Sequence, residues 1–254
     1  MCIRDRYVTV VSDLERSVVV HVADDRGRAA LDDFWASLTL EQRGQVEAVS
    51  MDMGRAYPAA TLKATRAAIC WDPFHAVKLL NKAVTDTIRW VRLTKTGLPL
   101  SGGEARDLRW ALLKKPTDLT DNQAAVLQRH ERSHHAIWRA QQIKERFRGL
   151  YQLDNPTDVA AYLERWLDRA CRSRIPPMVK ASQMVRNRKT GILAAVELGL
   201  SNSRLEGTNS KIRLSNHRGY GHHRAATFIP IIYLACGNIT TTLPWEPQPT
   251  PTSP

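Results

Sequence analysis

The stretch Tyr7–Ala23 reads YVTVVSDLERSVVVHVA and contains two runs that are rich in β-branched residues. The runs are Tyr7–Asp13 and Ser17–Ala23, and the short polar segment Leu14-Glu15-Arg16 separates them. Because β-branched side chains favour strands and a short polar segment favours a tight turn, the pattern predicts an antiparallel hairpin. The chain therefore opens inside a sheet.

Outward from this hairpin, the next 50 residues predict alternating helices and strands. A helix, a buried strand ending at Asp52, a second helix and a short apolar strand closed by Asp72 and Pro73 are expected, in that order. The corresponding segments are Arg28–Leu38, Val46–Met51, Tyr57–Lys63 and Ala67–Trp71.

From His75 onward the apolar spacing changes to three- and four-residue steps, which is typical of amphipathic helices. Thr120-x-x-Gln123 is a capping box, and it predicts a long helix that runs to about Tyr151. Asn155-Pro156 predicts the start of another helix. We therefore expect residues 76–198 to form an all-helical block.

After Gly199 the pattern predicts a helix whose polar face joins Glu206, Asn209 and Arg213 at positions i, i+3 and i+7. Thr227–Cys236 is apolar enough for a closing core helix, provided that Pro230 lies in its first turn. Residues 244–254 are rich in proline and predict a disordered tail.

Composition restricts the class of protein. The 254 residues carry 37 Lys and Arg against 25 Asp and Glu, a formal charge of +12, which favours a polyanionic partner such as nucleic acid or an anionic membrane surface. We find no transmembrane segment and no secretion signal, so a cytoplasmic protein is expected. The four cysteines form no CxxC pair, which predicts reduced and mostly buried thiols.

The order of these features indicates an RNase H-like α/β fold interrupted by a large helical insertion. Strands come first, one acid (Asp52) follows a buried strand, a helical block intervenes, and a second acid (Glu206) lies on a later helix. Cleavage of a phosphodiester by two divalent metals needs hard oxygen ligands from several elements. Asp52 and Glu206 are therefore the candidate metal ligands and catalytic residues.

Four blocks of the sequence resemble the catalytic region of insertion-sequence transposases of the ISL-three family, a DDE family. They are YVTVVSDLE (7–15), VSMDMGRAY (49–57), DPFHAVKLLN (72–81) and SNSRLEGTNSKIRLSNHRGYGHHRAATF (201–228). The resemblance implies that Asp52 and Glu206 are the family's second and third catalytic carboxylates. It also implies two Mg²⁺ (or Mn²⁺) ions, with the insertion-sequence ends and target DNA as partners.

The resemblance further implies a supporting role for Asp72 and His75, which match a Cys-or-Asp-x-x-His motif of the family. The alternative is that Asp72 only caps the next helix, with His75 packed beneath it. We expect Asn209, on the face of Glu206, to support the site as well.

The chain departs from the family pattern at its start and at His222. The family's first catalytic Asp lies on a strand upstream of Tyr7, and no residue here matches it. We interpret residues 1–6 as foreign sequence and the chain as N-terminally truncated, with Asp5 and Asp13 as poor substitutes for the missing ligand. Position 222 is more often Phe in the family, which affects the expected local packing.

Two basic clusters are candidates for phosphate contact, with a solvated helix face as the alternative for each. We assign DNA binding to Lys211, Arg213, Arg218 and Arg224, near Glu206. Lys180, Arg186, Arg188 and Lys189 form the other cluster. We interpret His130, His134 and His135 as surface residues and Trp110 and Trp166 as core, while Trp71 is placed where it could flank a DNA end.

The sequence thus predicts a fragment of a DDE transposase that catalyses metal-dependent DNA cleavage and strand transfer, inactive on its own and oligomeric on DNA. The alternatives are a non-catalytic, basic DNA-binding or dimerising remnant and a metal-dependent nuclease. The expected domains are the first part of the core (1–75), the helical insertion (76–198), the part carrying Glu206 (199–243) and the tail (244–254).

Overall fold

The structure is a computed structural model that describes residues 2–3, 6–25, 27–54, 56–94, 99–114, 116–153, 155–200, 203–219, 221–222 and 224–239. The chain divides into two compact units. Unit 1 comprises residues 1–46, 55–66 and 203–254, and unit 2 comprises residues 47–54 and 67–202. The predicted tail at residues 244–254 lies outside the described residues.

Unit 1 contains the predicted hairpin, which is confirmed. Strand β3 (Thr9–Asp13) pairs antiparallel with β4 (Val18–Ala23), and the register shifts between Val11 and Ser12. Asp13 closes the turn, because its Oδ1 accepts the backbone N–H groups of Glu15 and Arg16 at 2.9 and 3.0 Å. Two shorter strands, β1 (Cys2–Ile3) and β2 (Arg6–Tyr7), form a separate antiparallel pair.

Five helices accompany these strands within the described part of unit 1: α1 (Ala29–Ser37), α2 (Leu40–Gly44), α3 (Ala56–Ala64), α11 (Ser203–Arg218) and α12 (Ala225–Cys236). The hairpin and the two last helices share one apolar core, formed by Val8, Val19, Val22, Ile212, Ala225, Phe228, Ile232 and Cys236. The backbone N–H of Val22 donates to the Tyr233 hydroxyl at 2.9 Å, which ties β4 to α12.

The expected position of Pro230 is wrong. Helix α12 begins at Ala225, so Pro230 lies inside the helix and beyond its first turn. Proline there lacks the N–H that would bond to the carbonyl one turn earlier, which is costly in a helix interior. The side chain is exposed, and the apolar residues Phe228 and Ile232 on the buried side are both fully buried.

Unit 2 combines two parallel strands with the helical block. Strand β5 (Ala48–Met51) pairs with β6 (Ala68–Trp71), both as predicted, with Met51 opposite Trp71. The helices are α4 (Pro73–Thr94), α5 (Gly102–Leu113), α6 (Asp121–Glu131), α7 (His135–Gly149), α8 (Pro156–Cys171), α9 (Pro176–Arg186) and α10 (Lys189–Glu197). Short 3₁₀ turns occur at Pro116–Asp118 and Leu150–Gln152.

The single long helix predicted from Thr120 to about Tyr151 is wrong, although its capping box is present. The helix is interrupted at residues 132–134, between α6 and α7. The expectation that His130 and His134 lie on the surface is also wrong, because they are 8% and 4% exposed and their Nδ1 atoms lie 3.3 Å apart. The break brings these two rings together inside the block.

The tryptophans at 110 and 166 differ in burial. Trp166 is buried and donates its Nε1–H to the carbonyl of Ile143 at 2.8 Å, as expected of a core residue. Trp110 is 54% exposed, so the core assignment is wrong for this residue. Cys70 and Cys236 are buried and Cys171 is half-buried, and all three are free thiols.

Among the helices in the described ranges, none is both long and apolar enough to cross a membrane.

Candidate functional site at the end of the parallel strands

Asp52 and Asp72 follow the ends of two paired strands. Met51 lies opposite Trp71 in the parallel register, so the residue after each comes at the same edge of the sheet. The backbone N–H of Asp72 donates to the carbonyl of Met51 at 3.2 Å, which keeps the two strand ends together. The sequence therefore folds locally so that two carboxylates lie at one sheet edge.

The two carboxylates differ in exposure. The Asp72 side chain is 3% exposed and that of Asp52 is 57% exposed. Asp72 Oδ1 accepts the backbone N–H of Phe74 at 3.2 Å, the bond of a helix N-cap at the start of α4, and Oδ2 lies 2.7 Å from His75 Nδ1. Asp72 therefore makes the contacts expected of both alternatives: it caps α4, and it holds the ring of His75 beside Asp52.

His75 lies between the two carboxylates. Its Nδ1 donates to Asp72, and its Nε2 lies 3.6 Å from Asp52 Oδ1. The hydrogen bond to Asp72 raises the pKa of His75, and the negative charges of Asp52 and Asp72 act in the same direction against the effect of burial. The imidazole is therefore fixed in orientation and faces the exposed carboxylate.

Arg188 also bears on this edge, which the sequence did not predict. It was interpreted as part of a basic cluster, yet its guanidinium donates to the carbonyl of Met53 at 2.8 Å and lies 5.6 Å from the ring centroid of Trp71. Met53 directly follows Asp52, so Arg188 holds the loop that carries the exposed carboxylate. Trp71, expected beside a DNA end, is half-buried under this guanidinium.

Glycine at position 191 allows α10 to approach β6 closely. A Cβ at this position would lie 2.5 Å from the carbonyl oxygen of Ile69 and 2.6 Å from the Trp71 ring. A glycine inside an otherwise apolar helical segment is the sequence signal that could have indicated this packing.

Glu206 and Asn209 lie in unit 1, on α11. Glu206 is in the first turn of the helix and is exposed, and Asn209 is half-buried. A carboxylate in the first turn is favoured by the helix dipole. Ile212, which is fully buried, anchors α11 in the core of the unit.

The residues assigned to DNA binding are all exposed: Lys211, Arg213, Arg218 and Arg224. Within the described residues no carboxylate forms an ion pair with any of the four. Their charges therefore face solvent, where a polyanion could reach them.

His222 retains the packing of an aromatic residue. Its ring stacks on Phe228 with centroids 4.8 Å apart and planes 21° apart. The preceding Gly221 has φ +84°, a conformation that glycine adopts without strain. The adjacent Tyr220 and His223 lie outside the described residues.

The donor chemistry at Asp52 suits a hard cation, because its exposed carboxylate oxygens are of the type that Mg²⁺ prefers. In the part of the chain that the structure describes, no group of three or more His, Cys, Asp or Glu residues could hold a metal ion. Asp52, Asp72 and His75 come together in unit 2, whereas Glu206 and Asn209 belong to unit 1. The predicted shared site of Asp52 and Glu206 stays a prediction.

Comparison with known proteins gives the family. The model of the ISL-three transposase family, described as "Transposase", matches residues 2–232. The chain is 31% identical over 261 residues to the transposase for insertion sequence element IS1557 of Mycobacterium tuberculosis, covering 94% of this chain and 59% of that protein. It is 26% identical over 222 residues to the transposase for insertion sequence element IS1001 of Bordetella parapertussis, covering 85% of this chain and 54% of that protein.

The chain thus spans about three-fifths of the length of the first of these curated relatives and about half of the second. No solved structure matches it. The family match over nearly the whole chain and the identity to the IS1557 transposase show that this chain belongs to the ISL-three family of transposases.

Proposed function

We propose that this chain contributes Asp52 and Glu206 to a metal-dependent DDE active site that cuts and rejoins DNA at the ends of an insertion sequence. The observation that carries the proposal is the exposed Asp52 carboxylate at the carboxyl end of β5, beside the hydrogen-bonded pair of Asp72 and His75. In a transposase, an oriented and solvent-facing carboxylate at a strand end is suited to binding Mg²⁺.

Each residue at this edge has a separate task in the proposal. Asp52 would hold the metal, and its rotation is limited on one side by His75 Nε2 at 3.6 Å. Asp72 fixes the tautomer and the plane of His75 by accepting from Nδ1, as outer carboxylates commonly do for histidine. Arg188 restrains the backbone after Asp52 through Met53. Asn209 would support Glu206 from the same face of α11.

Two divalent ions, when bound, would activate a water or a 3′-hydroxyl and stabilise the charge that develops on the phosphate. Asp52 and Glu206 must both reach such ions, so we propose that their carboxylates come within roughly 8 Å of each other.

We also propose that these elements form an RNase H-like core, because of their order along the chain. A hairpin, a helix, and two parallel strands joined through a helix occur here in the order that such a core requires. The helical segment α4–α10 then separates the strands from the helix that carries Glu206. In this proposal the first carboxylate of the family, for which residues 7–239 offer no match, comes from a strand that pairs within the core.

DNA is the proposed partner, with Lys211, Arg213, Arg218 and Arg224 contacting phosphates. Arginine and lysine at an exposed surface bind the backbone without reading its sequence. Since transposition acts on the element's own DNA, we propose that the protein works in the cytoplasm and assembles as an oligomer on paired element ends.

A second candidate function is DNA binding without catalysis. In our proposal the chain carries two of the family's three carboxylates, and its exposed basic residues do not depend on them. In this case the chain would bind DNA and dimerise but would not cut.

The test is cleavage of DNA carrying the element's ends. The 254-residue chain should show no cleavage in Mg²⁺, whereas a version in which an upstream strand bearing Asp-Glu replaces residues 1–6 should nick DNA. Asp52→Asn and Glu206→Gln should each abolish nicking in the repaired version. Glu197→Gln, which removes an exposed carboxylate from α10, should leave it unchanged and serves as the matched control.

Nicking that survives Asp52→Asn or Glu206→Gln would refute the assignment of these residues. A repaired chain that binds the same DNA but never cuts it would favour the non-catalytic function.

A further inference from the structure

An open cleft of about 270 Å³ lies between helices α7 and α8 in unit 2. Its lining consists of Arg139, Gln142, Ile143, Arg146 and Arg169. Three of the five side chains are guanidinium groups, and none is a carboxylate. The cleft belongs to unit 2, whereas the basic residues assigned to DNA binding above belong to unit 1.

The walls of the cleft are held by hydrogen bonds between the two helices. Trp166 on α8 donates its Nε1–H to the carbonyl of Ile143 on α7 at 2.8 Å, and Tyr162 on α8 donates its hydroxyl to the carbonyl of Arg146 at 2.6 Å. Both bonds use backbone carbonyls of α7, so they fix the helix rather than a mobile side chain. The arginines therefore project from a preformed frame.

The charges in the cleft are not neutralised within the described part of the chain. Arg139 donates to a backbone carbonyl, that of Ser173, at 3.0 Å. Arg146 and Arg169 have no ion-pair partner among the described residues, because the neighbouring acids Glu145 and Asp168 pair with other cations. Three guanidiniums therefore share a lining without a carboxylate, and each can donate to a phosphate oxygen.

The chemistry of the lining indicates phosphate as the ligand. A guanidinium presents a planar fork of donors that matches phosphate oxygens, and a glutamine can add a neutral donor. Arg139 and Arg146 are seven residues apart on α7, which is about 10 Å along the helix axis. One phosphate group does not bridge such a distance, whereas a nucleic-acid strand carries a phosphate about every 3.4 Å along its axis.

The composition of the lining favours double-stranded over single-stranded nucleic acid. Proteins that bind single strands stack bases on aromatic side chains, and none of the five lining residues is aromatic. A cleft of guanidiniums without a stacking surface suits a duplex, whose bases are already stacked and whose phosphates face outward.

We propose that the cleft formed by Arg139, Arg146 and Arg169 is a second DNA-contacting surface, which binds the phosphate backbone of a duplex independently of sequence. The proposal rests on the proposed function, since it assumes that DNA is the partner. It adds a site in the helical block to the contacts expected on α11 and α12.

The test compares two variants with equal loss of charge. Arg146→Gln/Arg169→Gln removes two guanidiniums of the cleft, and Arg129→Gln/Arg132→Gln removes two exposed arginines at the end of α6, outside the lining. Binding of the full chain to a fluorescent DNA duplex is measured by anisotropy over a series of salt concentrations. Urea unfolding of both variants checks that the exposed substitutions leave the fold intact.

Loss of two phosphate contacts should make the negative slope of log K against log salt shallower by about 1.8, since each contact contributes about −0.9 in duplex DNA. The control variant should keep the wild-type slope. If the wild type binds DNA and the cleft variant has the same slope as the wild type, the cleft is not a contact site. The proposed function is not affected by that result. If both variants lose slope equally, the effect is one of net charge, and the proposal is overturned.

A single-stranded probe of the same length gives the remaining comparison. An equal loss of slope on this probe would overturn the assignment to a duplex. Failure of the proposed function has a different signature, because a repaired chain that does not cut could still show the predicted slopes in this binding assay.

Discussion

Replacing Gly191 by alanine is expected to weaken the packing of α10 on β6, even though alanine is the better helix former. The added Cβ would lie 2.5 Å from the carbonyl oxygen of Ile69 and 2.6 Å from the ring of Trp71. Carbon atoms in good contact are about 3.5–4.0 Å apart, so either the helix or the strand must move. The nearest atom belongs to the backbone, which cannot turn away as the end of a flexible side chain could.

Two effects of opposite sign determine the magnitude. Alanine gains up to about 1 kcal/mol over glycine in a helix. Overpacking of a tight core typically costs about 1–3 kcal/mol, and a clash with backbone lies at the upper end of this range. The net effect should be a loss of about 2 kcal/mol in the free energy of unfolding, or roughly 4–8 °C in Tm for a domain of this size.

Gly103→Ala is the matched control. Gly103 lies in the first turn of α5, as Gly191 does in α10, and no atom lies within 4 Å of a Cβ built there. Only the gain in helix propensity applies, so this variant should be more stable than the wild type by up to about 1 kcal/mol. Urea or thermal unfolding followed by tryptophan fluorescence gives both values. A Gly191→Ala variant that is as stable as Gly103→Ala would refute the close approach of α10 to β6.

Three further predictions concern other parts of the chain. The pKa of His130 is lowered, first by burial and then by the charge of His134. The contribution of neutral His130 to stability is therefore fully present above about pH 6.5, the pKa of an unfolded histidine. It is lost as the pH falls from there through the lowered pKa. His130→Asn should remove part of this loss between pH 7.5 and 5.5, and an unchanged pH dependence would contradict the buried pair. Arg188→Gln should lower the free energy of unfolding by about 1 kcal/mol because Met53 loses its donor, whereas the exposed Arg186→Gln should stay within about 0.5 kcal/mol of the wild type. In the repaired version of the chain, Fe²⁺ in place of Mg²⁺, with added hydrogen peroxide as oxidant and ascorbate to regenerate Fe²⁺, should produce hydroxyl-radical cuts in the backbone near both Asp52 and Glu206. Cuts near only one of them would contradict a shared site.

The local elements were largely predictable because their periodicity is strong. The hairpin at β3 and β4, the two buried strands and most of the helical block follow from apolar spacing alone. Helix α2 was missed, although Thr39 and Gln42 form the capping box that marks its start. The capping pair Ser101 and Glu104 likewise marks the start of α5. Both capping boxes are local signals that the sequence alone contains.

Other features depend on contacts that one sequence does not contain. The break before α7 accompanies burial of His130 and His134, and residue propensities alone favour a continuous helix through this region. The exposure of Trp110 could have been predicted from the sequence. Leu108 and Leu112, which are buried, share one face of the helix, and Trp110 lies on another face. The bond from Arg188 to Met53 joins residues 135 positions apart, and a basic cluster gave no indication that one member points inward.

Two aspartates at one sheet edge are not equivalent, and their hydrogen bonds decide which is available for a ligand. Both oxygens of Asp72 have donors, one from the backbone N–H of Phe74 and one from His75. The Asp72 side chain is also only 3% exposed, so a metal ion from solvent could reach it only if its surroundings moved. Asp52, by contrast, is more than half exposed, with His75 Nε2 at 3.6 Å, beyond an ordinary hydrogen bond. The buried acid therefore orients the histidine, and the exposed acid is the one expected to meet the metal.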